Sequence, residues 1–193
     1  MNTTRKGLAL SQSKGFTLLE LLIVIAILAV LATIAVLVIN PVEYLRQARD
    51  SQRINDLAAV KGALDLFSSG TTTPFMAAGC FDTQGTVNPF TSMTLTCTTR
   101  AAVTTDGNGW VPANLAVMAG GSPLPKLPID PTNSGAYFYA IYATNTDAVT
   151  GTPAYEMDAV LESAKYTTAP NNMMLNDGGS NTSYYEVGSK ISY

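Results

Sequence analysis

The chain has 193 residues, of which 47% are hydrophobic and only 13% charged; its formal charge is −3 and it contains no histidine. That length fits one ordinary domain, and the charged share is about half of what soluble domains carry. The lack of histidine removes the commonest general base and metal ligand, the acidic balance is the opposite of a nucleic-acid binder's, and the two cysteines, Cys80 and Cys97, are too few for a disulfide scaffold and lack metal-ligand spacing.

Residues 1–15 carry Arg5, Lys6 and Lys14 and no acidic residue. Residues 16–39 then read FTLLELLIVIAILAVLATIAVLVI, broken by a single charge, Glu20. As a helix this segment spans roughly 36 Å, enough to cross a bilayer core with some tilt. It is too long for the apolar core of a secretory signal, and no A-x-A site closes it. A plain signal anchor is the simple alternative. Ala26, Ala29 and Ala32 form a small-residue face along which helices can approach closely, although ordinary anchor composition gives the same pattern.

Pro41 either kinks the helix or opens a fresh first turn. Beyond it Leu57, Val60, Leu64 and Phe67 recur at spacings of three and four, with Ile54 leading in, so residues 40–69 are expected to form an amphipathic helix. Ser68, Ser69 and Gly70 supply its stop. Arg46, Arg49 and Arg53, offset by Glu43 and Asp50, read as a solvated belt. Arg46 and Asp50, and Asp50 and Arg53, are spaced for surface pairs.

Residues 70–193 are expected to form a separate domain. Residues 71–110, rich in threonine and glycine, show no period and read as a long connecting loop with a short strand near 93–99. Residues 111–118 fit a short helix or a strand equally well. The run Gly120 to Pro131 is loop. Strands are expected at 136–143, which is aromatic-rich, and at 155–163. There Tyr155, Met157, Ala159 and Leu161 occupy one face, and Glu156, Asp158 and Glu162 mainly the other. Residues 176–179 mark a turn, and 184–187 a last short strand. The fold class is therefore α+β, a long N-terminal helix whose second half packs on a small antiparallel sheet of three or four strands.

The heptapeptide Lys14-Gly15-Phe16-Thr17-Leu18-Leu19-Glu20, opening an apolar segment, resembles the processing site of type IV prepilins and type II secretion pseudopilins. The resemblance implies the pilin fold. It also implies a cytoplasmic leader, 1–15, cut between Gly15 and Phe16 by a membrane prepilin peptidase, with N-methylation of the new Phe16 amino group. Loss of the leader takes the net charge from −3 to −6. Residues 16–39 would be kept as the anchor and assembly helix. The implied partners are other pilin or pseudopilin subunits, the peptidase, and an inner-membrane assembly platform with its ATPase. The implied location is the cytoplasmic membrane, N-terminus inside, and afterwards a filament outside the cytoplasm. Glycine at 15 lets an extended backbone enter a protease cleft. Glu20, an intramembrane carboxylate, needs a cation once helices bundle, and the α-amino group of a neighbouring Phe16 is the natural one.

Residues 127–131 (LPIDP) followed by Tyr137, Phe138 and Tyr139 look like the Asp-Pro and aromatic pattern of major type II secretion pseudopilins, with Thr132 and Asn133 where that family has Trp-Gly. Asp177-Gly178-Gly179 is similar to their calcium loop, but too few carboxylates cluster in the sequence for an oxygen cage, so a polar turn is the expectation and no metal or cofactor is assigned. Export would place Cys80 and Cys97 in an oxidising compartment, where they are expected to pair across the polar loop between them; two independent buried thiols are the alternative. No P-loop, no G-x-S-x-G and no Cys/His pair is present, and the chain reads as a structural subunit rather than an enzyme. The rival reading is a monomeric, membrane-anchored, lectin-like binding protein, which would need neither Glu20 nor a peptidase site.

Overall fold

The structure, a computed structural model, describes residues 15–70, 76–85, 88–90, 95–147 and 152–193. It divides into two compact units, Met1–Pro41 and Val42–Tyr193. Helix α1 spans Leu18–Ile39 and helix α2 spans Pro41–Gly70. Between them Asn40 takes a left-handed conformation (φ 46°, ψ 70°). The local sequence explains this break. Proline disfavours helical geometry in the residue before it, asparagine tolerates the left-handed region, and proline is well suited to a first helical turn. Of the two readings of Pro41, the structure shows the fresh start.

Five strands form one sheet in the order β2-β1-β3-β4-β5: β1 Gly79–Asp82, β2 Thr98–Thr99, β3 Tyr139–Thr144, β4 Ala154–Ala159 and β5 Tyr185–Gly188. All neighbours are antiparallel except β1 and β2. The fold is α+β as expected, but the sheet gains one strand in the stretch read as loop. Strand β1 lies inside 71–110 and occupies an inner position, although its four residues begin with glycine and end with aspartate, which strand propensity does not favour. Its place comes from pairing with β3 (Phe81 opposite Ile141) rather than from local preference. Part of the strand expected near 93–99 lies outside the described residues; what is described is Thr98–Thr99. Residues 111–118 resolve into a turn of 3₁₀ helix at Leu115–Val117, with Val111, Ala113 and Leu115 buried.

One face of the sheet packs on α2. Leu57, Val60, Leu64 and Phe67 are buried there against Phe81, Tyr139, Ile141, Tyr155 and Met157. Trp110 fills the same core and donates its indole N–H to the Pro128 carbonyl at 2.8 Å, which satisfies its one polar atom. The opposite face is buried too, beneath Phe90, Phe138, Ala140 and Tyr193 together with Cys80. Cys80 and Cys97 form a disulfide, with Cα atoms 4.5 Å apart.

The solvated belt is corrected by the structure. Arg46 does remain at the surface, 3.8 Å from Glu43. Arg53 and Asp50 are fully buried. Arg53 donates to Asp130 (2.6 and 3.1 Å), Asp50 (2.8 Å), Glu162 (2.8 Å) and Thr132 (3.2 Å), and its guanidinium sits 4.8 Å from the Tyr137 ring centroid. Arg49 completes a two-pronged pair with Glu162 at 2.6 and 2.7 Å. Asp50 in turn accepts from the Glu162 and Ser163 backbone N–H groups and the Ser163 hydroxyl, which fastens the end of the β4 segment to α2. Such a cluster is tolerated in the interior because every charge has a partner of good geometry. Burial opposes the charge of Arg53, but its bonds to Asp130, Glu162 and Asp50 hold it firmly protonated. Arg49 first, and Arg53 after it, hold the Glu162 carboxyl down to about 2.

Candidate functional site

The heptapeptide at the start of α1 is described from Gly15 onward; Lys14 lies outside the described residues. Helix α1 starts because Thr17 and Glu20 cap each other. The Glu20 backbone N–H donates to Thr17 Oγ1 at 3.2 Å, and the Thr17 backbone N–H donates to Glu20 Oε2 at 2.8 Å. The Thr17 hydroxyl donates to the same Oε2 at 2.9 Å. Two of the helix's orphan N-terminal donors are thereby satisfied. Sequence reasoning gave Glu20 one role and missed this second one, although the T-x-x-E spacing that signals it stands in plain view.

Phe16 is 87% exposed, directly ahead of the cap. A Cβ built on Gly15 meets no described atom within 4 Å, so nothing described in the chain's own fold calls for glycine there. From Leu18 to Ile39 no residue is buried, and leucine, isoleucine, valine and alanine occupy every side of the helix. A helix that is apolar all round is stable only inside a protein or a bilayer. Its one hydroxyl, Thr33, donates back to the Val30 carbonyl at 2.7 Å and so needs no water. Among the described residues this is the helix long and apolar enough to cross a membrane.

Residues 10–36 match the family profile described as the prokaryotic N-terminal methylation motif. The chain carries an N-terminal methylation motif, which supports its resemblance to type IV pilin and pseudopilin precursors. The match covers the leader end, the Gly15–Phe16 junction, the capping box and most of α1, which are the parts that sequence and geometry had already set apart. No curated protein and no solved structure matches the chain. The motif and the apolar α1 support a membrane-anchored, pilin-like precursor.

The pilin-like chain's remaining expected features are placed as follows. Asp130, within the LPIDP segment, is a buried partner of Arg53 and also accepts from the Thr132 and Asn133 backbone N–H groups at 2.8 and 3.1 Å. Asp177 shapes a turn: its Oδ1 accepts from the Gly179 N–H and its Oδ2 from the Glu186 N–H, both at 2.9 Å. Tyr137 and Tyr139 lie close to the charged cluster, and the Tyr139 hydroxyl donates to Asp56 at 2.9 Å.

Proposed function

We propose that this chain is a structural subunit of a type IV pilus-like or type II secretion pseudopilus filament, cut between Gly15 and Phe16 by a prepilin peptidase and polymerised through α1. The match of residues 10–36 to the methylation motif carries the reading. The open space around Gly15 supports an external reason for its glycine, since a peptidase cleft would be sensitive to a Cβ where the fold is not. Lys14, with Arg5 and Lys6, keeps that junction on the cytoplasmic side. The partners are further subunits, the peptidase, and an inner-membrane platform with its ATPase.

Glu20 has two successive duties in this scheme. In the free subunit its Oε2 closes the capping box. In a bundle of α1 helices its charge meets the methylated amino group of a neighbouring Phe16 and sets the axial register. The two duties separate by substitution. Glu20→Gln keeps a side chain able to cap Thr17 but loses the charge, whereas Glu20→Leu loses both.

Two measurements test the reading. Mass spectrometry of the mature protein should find N-methyl-Phe16 as the first residue; an intact leader in an assembly-competent host overturns the processing scheme. Glu20→Gln and Glu20→Leu subunits should both reach the membrane fraction, since an intramembrane charge has been removed, and both should fail to give filaments by electron microscopy. Filaments from Glu20→Gln with none from Glu20→Leu would assign Glu20 to capping alone.

A further inference from the structure

Beneath the second face of the sheet lie three carboxylates that the filament reading does not use. Glu156 and Asp158 leave β4 on the side opposite Tyr155 and Met157, and the strand register sets Asp158 directly across from Glu186 on β5. All three residues are buried, and a carboxylate oxygen of each lies within 4.8 Å of the other two. The sequence places them almost thirty positions apart, which is why the acids seemed scattered there.

Three of the six oxygens are held by backbone donors. The Tyr193 N–H donates to Glu156 Oε2 at 2.9 Å, the Ser180 N–H to Glu186 Oε1 at 3.1 Å, and the Asn181 N–H to Glu186 Oε2 at 2.9 Å. The other three, Glu156 Oε1 and both oxygens of Asp158, accept no hydrogen bond among the described residues. Asp158 is the sharpest case, 1% exposed and facing its two acidic neighbours. Burial, then Glu156, Glu186 and Asp177, push its carboxyl well above the usual range, and no positive group contributes. The nearby Lys190 is engaged by Asp147 at 2.6 Å. An unpartnered carboxylate in such a place is strongly unfavourable unless a proton or a cation joins it.

We propose that Glu156, Asp158 and Glu186 form a binding site for one oxygen-preferring divalent cation of calcium's size. The donor set is carboxylate alone, which favours hard ions over zinc or copper. Two oxygens on one calcium ion, each about 2.3–2.6 Å from it, lie no more than about 5 Å apart, whereas the shorter bonds of magnesium hold them within about 4.2 Å. The carboxylate oxygens, within 4.8 Å of one another, lie inside the span of a calcium ion. Two hydrogen-bonded strands hold the three side chains, so little ordering is left for the ion to impose. Gly179 belongs to the same construction, because a Cβ there would run into the Glu186 carboxylate. Asp177 shapes the turn beside the site, its two oxygens accepting from the Gly179 and Glu186 N–H groups. Asp177 and Glu186 also line an open surface cleft of about 610 Å³.

The test uses the full chain in detergent, stripped with EDTA, with calcium or magnesium chloride as the only addition. Equilibrium dialysis with elemental analysis should find about one calcium per chain, and Tm should rise with calcium concentration and far less with magnesium. Asp158→Asn and Glu186→Gln should weaken calcium binding by at least about tenfold while leaving the metal-free circular dichroism spectrum unchanged. No bound calcium and an unchanged Tm in the wild type up to ~10 mM calcium overturns the site, as does equal binding by Asp158→Asn. If Asp158→Asn fails to fold, the wild-type stoichiometry and the Glu186→Gln affinity still decide. The readout is metal on the isolated chain, so it stands or falls independently of filament assembly.

Discussion

The Arg53 cluster and the Asp158 cluster each gather three carboxylates, on opposite sides of one small sheet. Around Arg53 the acids are Asp50, Asp130 and Glu162, and two guanidinium groups answer them. Around Asp158 they are Glu156, Asp158 and Glu186, and no described side chain of opposite charge does so. The same residue type at similar depth therefore behaves in two ways. On the helix side the acids are paired with guanidinium groups and tie α2 to the segment after β4. On the far side they face one another, with three oxygens that accept no hydrogen bond among the described residues. What decides the chemistry of a buried acid is its partner, and burial alone says little.

The largest expected effect comes from making the first cluster resemble the second. Arg53→Met removes the central cation and leaves Asp50 and Asp130 buried without it; equilibrium denaturant unfolding of the detergent-solubilised chain should show a loss of about 3–5 kcal/mol. A loss under about 1 kcal/mol would mean that backbone donors alone satisfy those acids, and that the contrast drawn above is one of degree. A second comparison loosens the cover over the carboxylate side, where Cys80 packs with Phe138, Ala140 and Tyr193. Replacing Cys80 and Cys97 together by serine should lower stability by about 3 kcal/mol, the chain-entropy value for a closed loop of this length. Thiol labelling of the wild type without reductant should find both cysteines protected; full labelling would remove the bridge from the account.

The smallest effect sharpens the comparison through pH. Glu162 titrates in the folded state at about 2, below its ordinary value of 4.5, so the unfolded chain takes up its proton first as the solution is acidified. Its contribution is present above pH ~4.5 and is lost as pH falls toward about 2. Glu162→Gln should therefore lower stability at neutral pH and flatten that acid-side loss. An acid limb of unchanged steepness in Glu162→Gln would show that other carboxylates carry it.

Much of this molecule can be read from residue order. The apolar run and the glycine junction announce α1 and the methylation motif, and the stripe from Leu57 to Phe67 announces the packed face of α2. Strands β3, β4 and β5 were foreseen within a few residues, from aromatic content and alternation. The Arg53 cluster was legible but misread. Positions 50, 53, 57, 60, 64 and 67 continue a single stripe at spacings of three and four, so phase placed Asp50 and Arg53 on the buried face while residue type argued for the surface. The partners Asp130 and Glu162, far away in sequence, could not be foreseen from any local pattern. Glu156 and Asp158 were assigned to the correct face of β4, but alternation reports which side a residue is on and not whether something covers it, so their burial was not foreseen. Strand β1 left no signal at all, being four residues long and held by its neighbour.

The sheet's outline has a further consequence for the filament proposed above. Its outermost strands are two residues (β2) and four residues (β5) long. Rims this short present few open backbone groups to a second rim, so neighbouring domains have little template on which to zip into a cross-strand aggregate. Dense packing of such domains is then free to follow whatever geometry the N-terminal helices dictate, without competition from amyloid-like stacking.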